Sequence, residues 1–425
     1  MKILIVNKFL HANGGSETYI FNIGKYFQES GHQVQYFGME HPDRKVGNEW
    51  NCYTGGMDFH GAQDSEKSGS PLAGRINTLL KQAGYPFRII YSREAYKKIT
   101  FVLEKFDPDV VCVNNFNFQL TPSILYAVKN YGKKRKKKLP IVMTAHDSQL
   151  VCPNHLMVIP ASGEICFACE GGKFKNCTKN RCIHNSVVKS ALASVEGYLY
   201  RFLKAYRHID LLVCPSDFLK GRLSTNPLLA KKAVTIHNFI QPAERVEDVK
   251  KEDYVLFFGR YSREKGVGTL LRICKSLPEI PFVFAGSGPY REEILRMENI
   301  EEKGFLSGEE LHQTIAKARF VLFPSICNEN CPFSVMESQV YGTPVLGSRL
   351  GGIPELIKEG ITGELLTAGD AEEWITAVKA LWDDEERLNR YTDNCRNVSF
   401  YTVAGYCDIL QSKIKELLQE DCQYG

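Results

Sequence analysis

The sequence predicts an α/β protein in which two doubly wound parallel sheets face each other across a cleft. Three observations point there. Short continuous apolar runs such as Ile3–Val6 and Phe320–Phe323, bounded by turn residues, have the form of strands buried on both faces. Amphipathic segments alternate with them, as parallel sheets with helical crossovers require. At 425 residues the chain exceeds what one core usually supports, and its rhythm stops and restarts around a charged stretch at 241–253.

In the first half (1–240), the strand Ile3–Val6 leads through a turn at Gly14–Gly15 into a helix from Glu17 to about Ser30. Gly31 ends that helix, and Gln33–Phe37 follows as a strand. The polar, glycine-rich stretch Thr54–Gly69 reads as a mobile loop. Helices are expected over Leu72–Gln82 and Arg93–Lys105, and strands over Asp109–Val113 and Ile141–Thr144. A long helix, Val187–Tyr206, precedes strands at Leu211–Cys214 and Thr235–His237. Segment 241–253 contains a proline, lacks apolar periodicity and reads as a linker. The second half (254–402) resumes with strands at Val255–Phe258, Phe282–Ala285, Phe320–Phe323 and Pro344–Gly347. Helices near Val267–Leu277, Glu309–Ala318 and Glu372–Leu381 alternate with them, and a last helix, Val403–Leu418, lies in the tail 403–425.

A hydrophobic content of 44% and a charged content of 24% are ordinary for a soluble globular protein. No apolar run approaches the roughly 20 residues needed to cross a bilayer. The opening MKILIVNKFL is too short for a secretory signal, so a cytoplasmic protein is expected. The fourteen cysteines are mostly scattered singly through predicted strands and helices, as buried small hydrophobes are. Five of them cluster in an insertion at 150–185.

The stretch FPSICNENCPFSVMESQVYGTPVLGSRLGGIP carries the chemistry. Glu329 sits in the loop leaving a strand, and Glu337 rides on the helix that follows. Pro332 suits that helix's first turn. Phe333 and Ser334 would offer free N–H groups and the positive dipole end to a phosphate. Two acceptor carboxylates beside such a cradle suit a nucleotide sugar, with hydroxyls at both ends and phosphates between. Four other groups lie at predicted strand ends, where open α/β sheets bind ligands. They are the bare turn Gly14–Gly15, the cations Arg260 and Lys265 in GRYSREKG, His146 in TAHDSQ, and the turn at Gly286 and Ser287.

These motifs resemble those of the retaining GT-B glycosyltransferases of glycosyltransferase family four. The matching features are the E-x7-E pair, the G-R-x-x-x-x-K-G loop, the GGSE turn and the downstream GTPVLGSRLGGIPEL. The resemblance covers nearly the whole chain except the cysteine cluster. It implies GT-B architecture, with the last helix packing back on the first domain. It further implies that Glu329 faces the donor sugar, Glu337 the ribose, and Gly15 the donor. Phe333 and Ser334 would set backbone amides against sugar and phosphate, with Gly286 and Ser287 near the nucleotide. His146 would contact a sugar hydroxyl, and its carbonyl would stabilise oxocarbenium charge. Arg260 and Lys265 would neutralise the diphosphate leaving group without a catalytic metal. No second carboxylate is placed as a base, which fits a front-face transfer in which the leaving phosphate takes the acceptor proton. Asn114 and Asn115 depart from the family's histidine-rich strand end, and Glu355 reads as a structural helix-start carboxylate.

The expected activity is transfer of a hexose-type sugar from a UDP- or GDP-sugar to a glycan or lipid-linked acceptor, in bacterial surface polysaccharide or glycolipid assembly. A nucleotide-sugar epimerase of the same architecture would share the donor site, but its motifs match less well. A zinc-containing nucleic-acid-binding protein would interleave aromatics with its cations, and the run Lys133–Lys138 has none. That run is either a solvated loop or a peripheral contact with anionic lipid, worth about 1 kcal/mol per cation. Cys152, Cys166, Cys169, Cys177 and Cys182, with His155 and His184 nearby, suit a structural Zn²⁺ held by four cysteines or by three and a histidine.

Overall fold

The computed structural model describes residues 1–55, 90–240 and 249–419. The expected helix Leu72–Gln82, most of the Thr54–Gly69 loop and most of the 241–253 linker lie outside them.

The first half forms a six-stranded sheet of β1 (Lys2–Val6), β2 (Gln33–Phe37), β3 (Val110–Val113), β4 (Ile141–Thr144), β5 (Leu211–Cys214) and β6 (Ala233–Thr235). Its order is β2-β1-β3-β4-β5-β6. The second half forms another from β7 (Val255–Arg260), β8 (Phe282–Ser287), β9 (Ile300–Glu302), β10 (Phe320–Phe323), β11 (Val345–Ser348) and β12 (Gly363–Leu366), in the order β12-β11-β10-β7-β8-β9. Every pairing in both sheets is parallel. The expected α/β class and GT-B architecture are therefore present. In the first sheet the chain reverses direction between β1 and β3, and in the second between β7 and β10. Ligands of open α/β sheets bind at such switch points.

Alternation of side chains along each strand divides the core between the two faces. In β1, Leu4 and Val6 join one buried cluster with the helices Arg93–Phe106 and Ser123–Arg135. Ile3 and Ile5 join another with Gly15–Glu29. In β7, Val255 and Phe257 face the helices Val267–Ser276 and Ala371–Trp382, whereas Leu256 and Phe258 face Gly308–Lys317 and Phe333–Val340.

The last helix, Val403–Gln419, lies on the first sheet, although the chain has by then built the second. Tyr406, Cys407, Leu410 and Ile414 are buried there beside Tyr19, Ile23 and Phe27. Burial of a Leu or Ile contributes about 1.5–3 kcal/mol. The Tyr19 hydroxyl hydrogen-bonds both Tyr406 (2.8 Å) and Thr144 (3.0 Å), which satisfies these polar atoms inside the core.

Several local expectations shift. The long helix stops at Phe202, because Lys204 adopts a left-handed φ of 50° before a 3₁₀ turn at Ala205–His208. Strand β6 falls at Ala233–Thr235, two residues earlier than expected. The Lys133–Lys138 run is not simply a loop. Lys133, Lys134 and Arg135 close the helix Ser123–Arg135, Lys134 pairs with Glu104, and Lys137 pairs with Asp107 and Asp109. No helix among the described residues is long and apolar enough to cross a membrane.

Candidate active site in the interdomain cleft

The switch point of the second sheet carries the charged centre. The loop after β7 holds Lys265, and the loop after β10 holds Glu329. Lys265 Nζ donates to Glu329 Oε1 at 2.6 Å, and Ser325 Oγ donates to the same oxygen at 3.0 Å. The pair is 29% and 16% exposed, shielded but open to a ligand. Ile326 N–H donates to the Glu264 carbonyl at 3.0 Å, which ties the two loops together. Gly266 permits this closeness: φ is +76°, and a Cβ there would meet the Pro324 oxygen at 1.9 Å.

Arg260 is exposed at the last position of β7, and Gly286 and Ser287 lie within the end of β8, in register with Gly259 and Arg260. These residues therefore sit on strand ends rather than in loops. The helix Phe333–Val340 starts beside the charged pair. Pro332 is its cap, one position earlier than expected, and no side chain caps the first N–H groups. The ring of Phe333 comes within 3.7 Å of the place a Gly15 Cβ would occupy, so the bare turn of the first domain and this helix start meet across the cleft. Behind Gly15, Glu17 is buried and accepts from Asn7 and Ser16 at 2.8 Å each, pinning the turn. Glu337, one turn into the helix, makes no hydrogen bond through its carboxylate among the described residues, and burial pushes its pKa up to about 6.

At the switch point of the first sheet Asn114 follows β3, and His146 follows the neighbouring strand β4. His146 Nε2 lies 2.9 Å from Asn114 Oδ1, while Asn114 Nδ2 donates to the Val6 carbonyl. An amide oxygen only accepts, so the imidazole proton sits on Nε2 and leaves Nδ1 as an acceptor. Burial pushes the His146 pKa down to about 4, so the ring is neutral near pH 7. The His146 carbonyl accepts from Asn330 Nδ2 at 2.8 Å across the cleft, leaving it one lone pair for any ligand. Asp147 faces His155 at 3.4 Å and not His146.

Three more contacts join the halves, and sequence reasoning missed them. Glu355 accepts from the Asp217 and Phe218 N–H groups at 2.8 Å and pairs with His237 Nε2 at 2.9 Å. It sits at a helix start, as read from the sequence, but the helix belongs to the other half. Asn238 Nδ2 donates to the Cys331 carbonyl at 3.1 Å, and Arg263 reaches the Ser162 carbonyl of the cysteine-rich insertion at 3.2 Å. All join positions far apart in the chain, where local pattern carries no signal.

The five clustered cysteines surround one small cavity in that insertion, and all are free thiols. His155 is turned toward Asp147, and His184 is exposed. Among the described residues no three His, Cys, Asp or Glu side chains form a ready metal shell.

The chain resembles known proteins over most of its length. Residues 13–244 match the model described as Glycosyltransferase Family 4, and residues 241–398 match that of Glycosyl transferases group 1. Over 209 residues it is 31% identical to the sulfoquinovosyl transferase SQD2 of Arabidopsis thaliana, covering 44% of this chain and 40% of that one. Over 232 residues it is 26% identical to the O-antigen chain mannosyltransferase C of Escherichia coli, covering 50% and 62%. The chain thus spans about half the length of these curated relatives. The solved Anabaena Alr3699/HepE structure with UDP and glucose aligns over 98% of this chain and all of its own, with TM-score 0.64 and 15% identity. Sucrose-phosphate synthase of Thermosynechococcus elongatus aligns over 99% of this chain with TM-score 0.64 and 14% identity, so both share the fold. With one family model spanning more than half of it and a second spanning most of the remainder, the chain belongs to glycosyltransferase family 4 and carries a group 1 glycosyltransferase domain.

Proposed function

We propose that this protein is a retaining glycosyltransferase that moves a hexose-type sugar from a nucleotide-sugar donor to a hydroxyl of a glycan or lipid-linked acceptor. The observation that carries the reading is the Lys265–Glu329 pair beside the uncapped start of the Phe333 helix, with Gly15 directly opposite.

In this reading the donor diphosphate lies between the helix N–H groups at Phe333 and Ser334 and the Gly14–Gly15 turn. Arg260 and Lys265 gather the charge that builds on the diphosphate as the glycosidic bond breaks, supplying what a divalent cation supplies in other transferases. Glu329 orients the sugar hydroxyls and Glu337 the ribose, while Gly286 and Ser287 flank the nucleotide. His146, neutral, offers Nδ1 to a sugar hydroxyl. The acceptor hydroxyl attacks from the face the diphosphate leaves, and the departing phosphate oxygen takes its proton. The relatives named for sulfoquinovosyl and mannosyl transfer, and the related fold bound to UDP and glucose, support a nucleotide-sugar donor. A role in surface polysaccharide or glycolipid assembly belongs to the same reading. So does a peripheral contact with anionic lipid through the exposed cations of Lys133–Lys138.

A panel of UDP- and GDP-sugars tests the proposal directly. One donor should raise the melting temperature and be hydrolysed slowly, or transferred to an added polyprenyl-linked glycan with its anomeric configuration kept. Failure of every nucleotide sugar to bind would overturn it.

A further inference from the structure

We infer that the insertion at 150–185 holds one Zn²⁺ ion in a closed tetrahedral site of cysteine thiolates, a structural metal outside the transfer chemistry. Cys152, Cys166, Cys169, Cys177 and Cys182 all line one cavity of about 10 Å³, the space of a single water-sized sphere. Cys152, Cys169 and Cys177 are buried, and Cys166 and Cys182 are half-buried at its rim. The three buried thiols and one of the rim pair make the four ligands that zinc takes in structural sites.

The insertion needs such a staple. Its regular structure is a 3₁₀ turn at Glu170–Gly172 and one short helix, Lys175–Lys179. Its own apolar core is Phe174 and two of these cysteines against Ala193. His155, Met157, Arg181, His184 and Asn185 all hold left-handed φ values between 47° and 67°. Each costs free energy that so small a core offsets poorly without a further tie. No disulfide supplies one, since all five cysteines are free.

Thiolates also fit the surroundings. Four of them around a divalent cation leave two negative charges, and Lys173, Lys175, Lys179 and Arg181 lie in the same short segment. Asn180 Nδ2 approaches Cys166 Sγ at 3.9 Å, the kind of N–H···S contact that orients a ligand sulfur. His155 and His184 do not line the cavity, so the ligand set is all sulfur. The thiols ring the cavity without forming a ready shell, so holding a cation at about 2.3 Å requires their side chains to rotate inward.

The metal would stiffen the cleft wall. Cys152 N–H donates to the Ser148 carbonyl at 2.9 Å, and Ser148 N–H to the His155 carbonyl at 3.2 Å, two residues past His146. Ser162 of the same insertion receives Arg263 from the loop that carries Lys265.

The test is metal content of the full chain, purified under reducing conditions and measured by plasma mass spectrometry. One zinc per chain is expected. A mercurial should release it to a chromogenic chelator, and Co²⁺ exchange should give a thiolate charge-transfer band. The double variant Cys169→Ser/Cys177→Ser, left with three cavity thiols, should lose the metal, while Cys274→Ser, buried in the second domain, keeps it. Should the double variant misfold, the wild-type metal content and cobalt spectrum still decide. Only trace metal in the wild type, a disulfide among the five in freshly reduced protein, or full zinc retained by the double variant would each overturn the inference.

Discussion

The side-chain amide of Asn330 donates to the main-chain carbonyl of His146 at 2.8 Å, fastening the loop that carries Glu329 to the strand end that carries His146. One hydrogen bond thus sets the spacing of groups from both domains around a common ligand. Asn330→Ala removes the donor and leaves that carbonyl short of a partner, a loss of about 1–3 kcal/mol where water cannot replace it. Nucleotide affinity should change little, because the phosphate cradle is intact. Turnover should fall about tenfold, because the two halves no longer hold one register. Steady-state kinetics beside calorimetric nucleotide binding separates the two effects. Equal losses in both would place Asn330 in donor binding instead.

Lys265 and Glu329 share one bond in the free protein, so each holds the other in place before a donor arrives. Lys265→Ala and Glu329→Ala should each lower kcat/KM by at least about a hundredfold, and the double variant should lose little more than either alone. The fold should survive, because the pair is partly exposed and outside the core clusters. Full activity in either single variant, with unchanged circular dichroism, would remove both from the site.

Much of this arrangement was legible in the sequence, and what was not has physical causes. Strands such as β10 and β7 announce themselves as continuous apolar runs flanked by turns. β9 spans only Ile300–Glu302, with a single apolar residue, and β12 only Gly363–Leu366, so neither carries a periodic signal. The break at Lys204 has no glycine or proline to mark it. The E-x7-E spacing and the GRYSREKG loop pointed to the charged centre because each motif lies within a single strand–loop–helix unit. Asn330, Glu355 and Asn238 act on residues roughly ninety or more positions away, which no local pattern reports.

Glu355 joins the domains through two kinds of contact, and pH should separate them. Its hydrogen bond raises the His237 pKa above the ordinary 6.5. That contribution is complete below the unfolded value and is lost as pH rises through the folded one. Burial opposes ionisation of Glu355, yet the His237 bond and the two backbone N–H groups together hold its carboxyl below the ordinary 4.5. Its contribution is present above that value and lost on acidification. His237→Gln should therefore lower the melting temperature more at about pH 5.5 than at about pH 8. Glu355→Gln should lower it at both, since it also weakens the cap on the helix Asp217–Leu223, worth about 0.5–2 kcal/mol. A pH-independent His237→Gln effect would show that the pair is not an ion pair in solution.

Glu337 gives the opposite sign. Burial raises its pKa from 4.5 to about 6, so the folded chain binds this proton more tightly than the unfolded one. The site thus loses stability as pH climbs from the unfolded to the folded value, and the ionised carboxylate waits without a protein partner. A ribose whose hydroxyls donate to that carboxylate selects the ionised form. Nucleotide affinity should then strengthen as pH rises through about 6 and level off above it. Glu337→Gln should flatten the profile and weaken binding by about tenfold or more at about pH 7.5, the loss of one or two charge-assisted hydrogen bonds. The same variant should melt higher than wild type without nucleotide, because a neutral amide escapes the burial penalty on the charge. Calorimetric titrations across this range, paired with melting curves, check both halves. A pH-dependent affinity surviving in Glu337→Gln would move the titrating group elsewhere in the cleft.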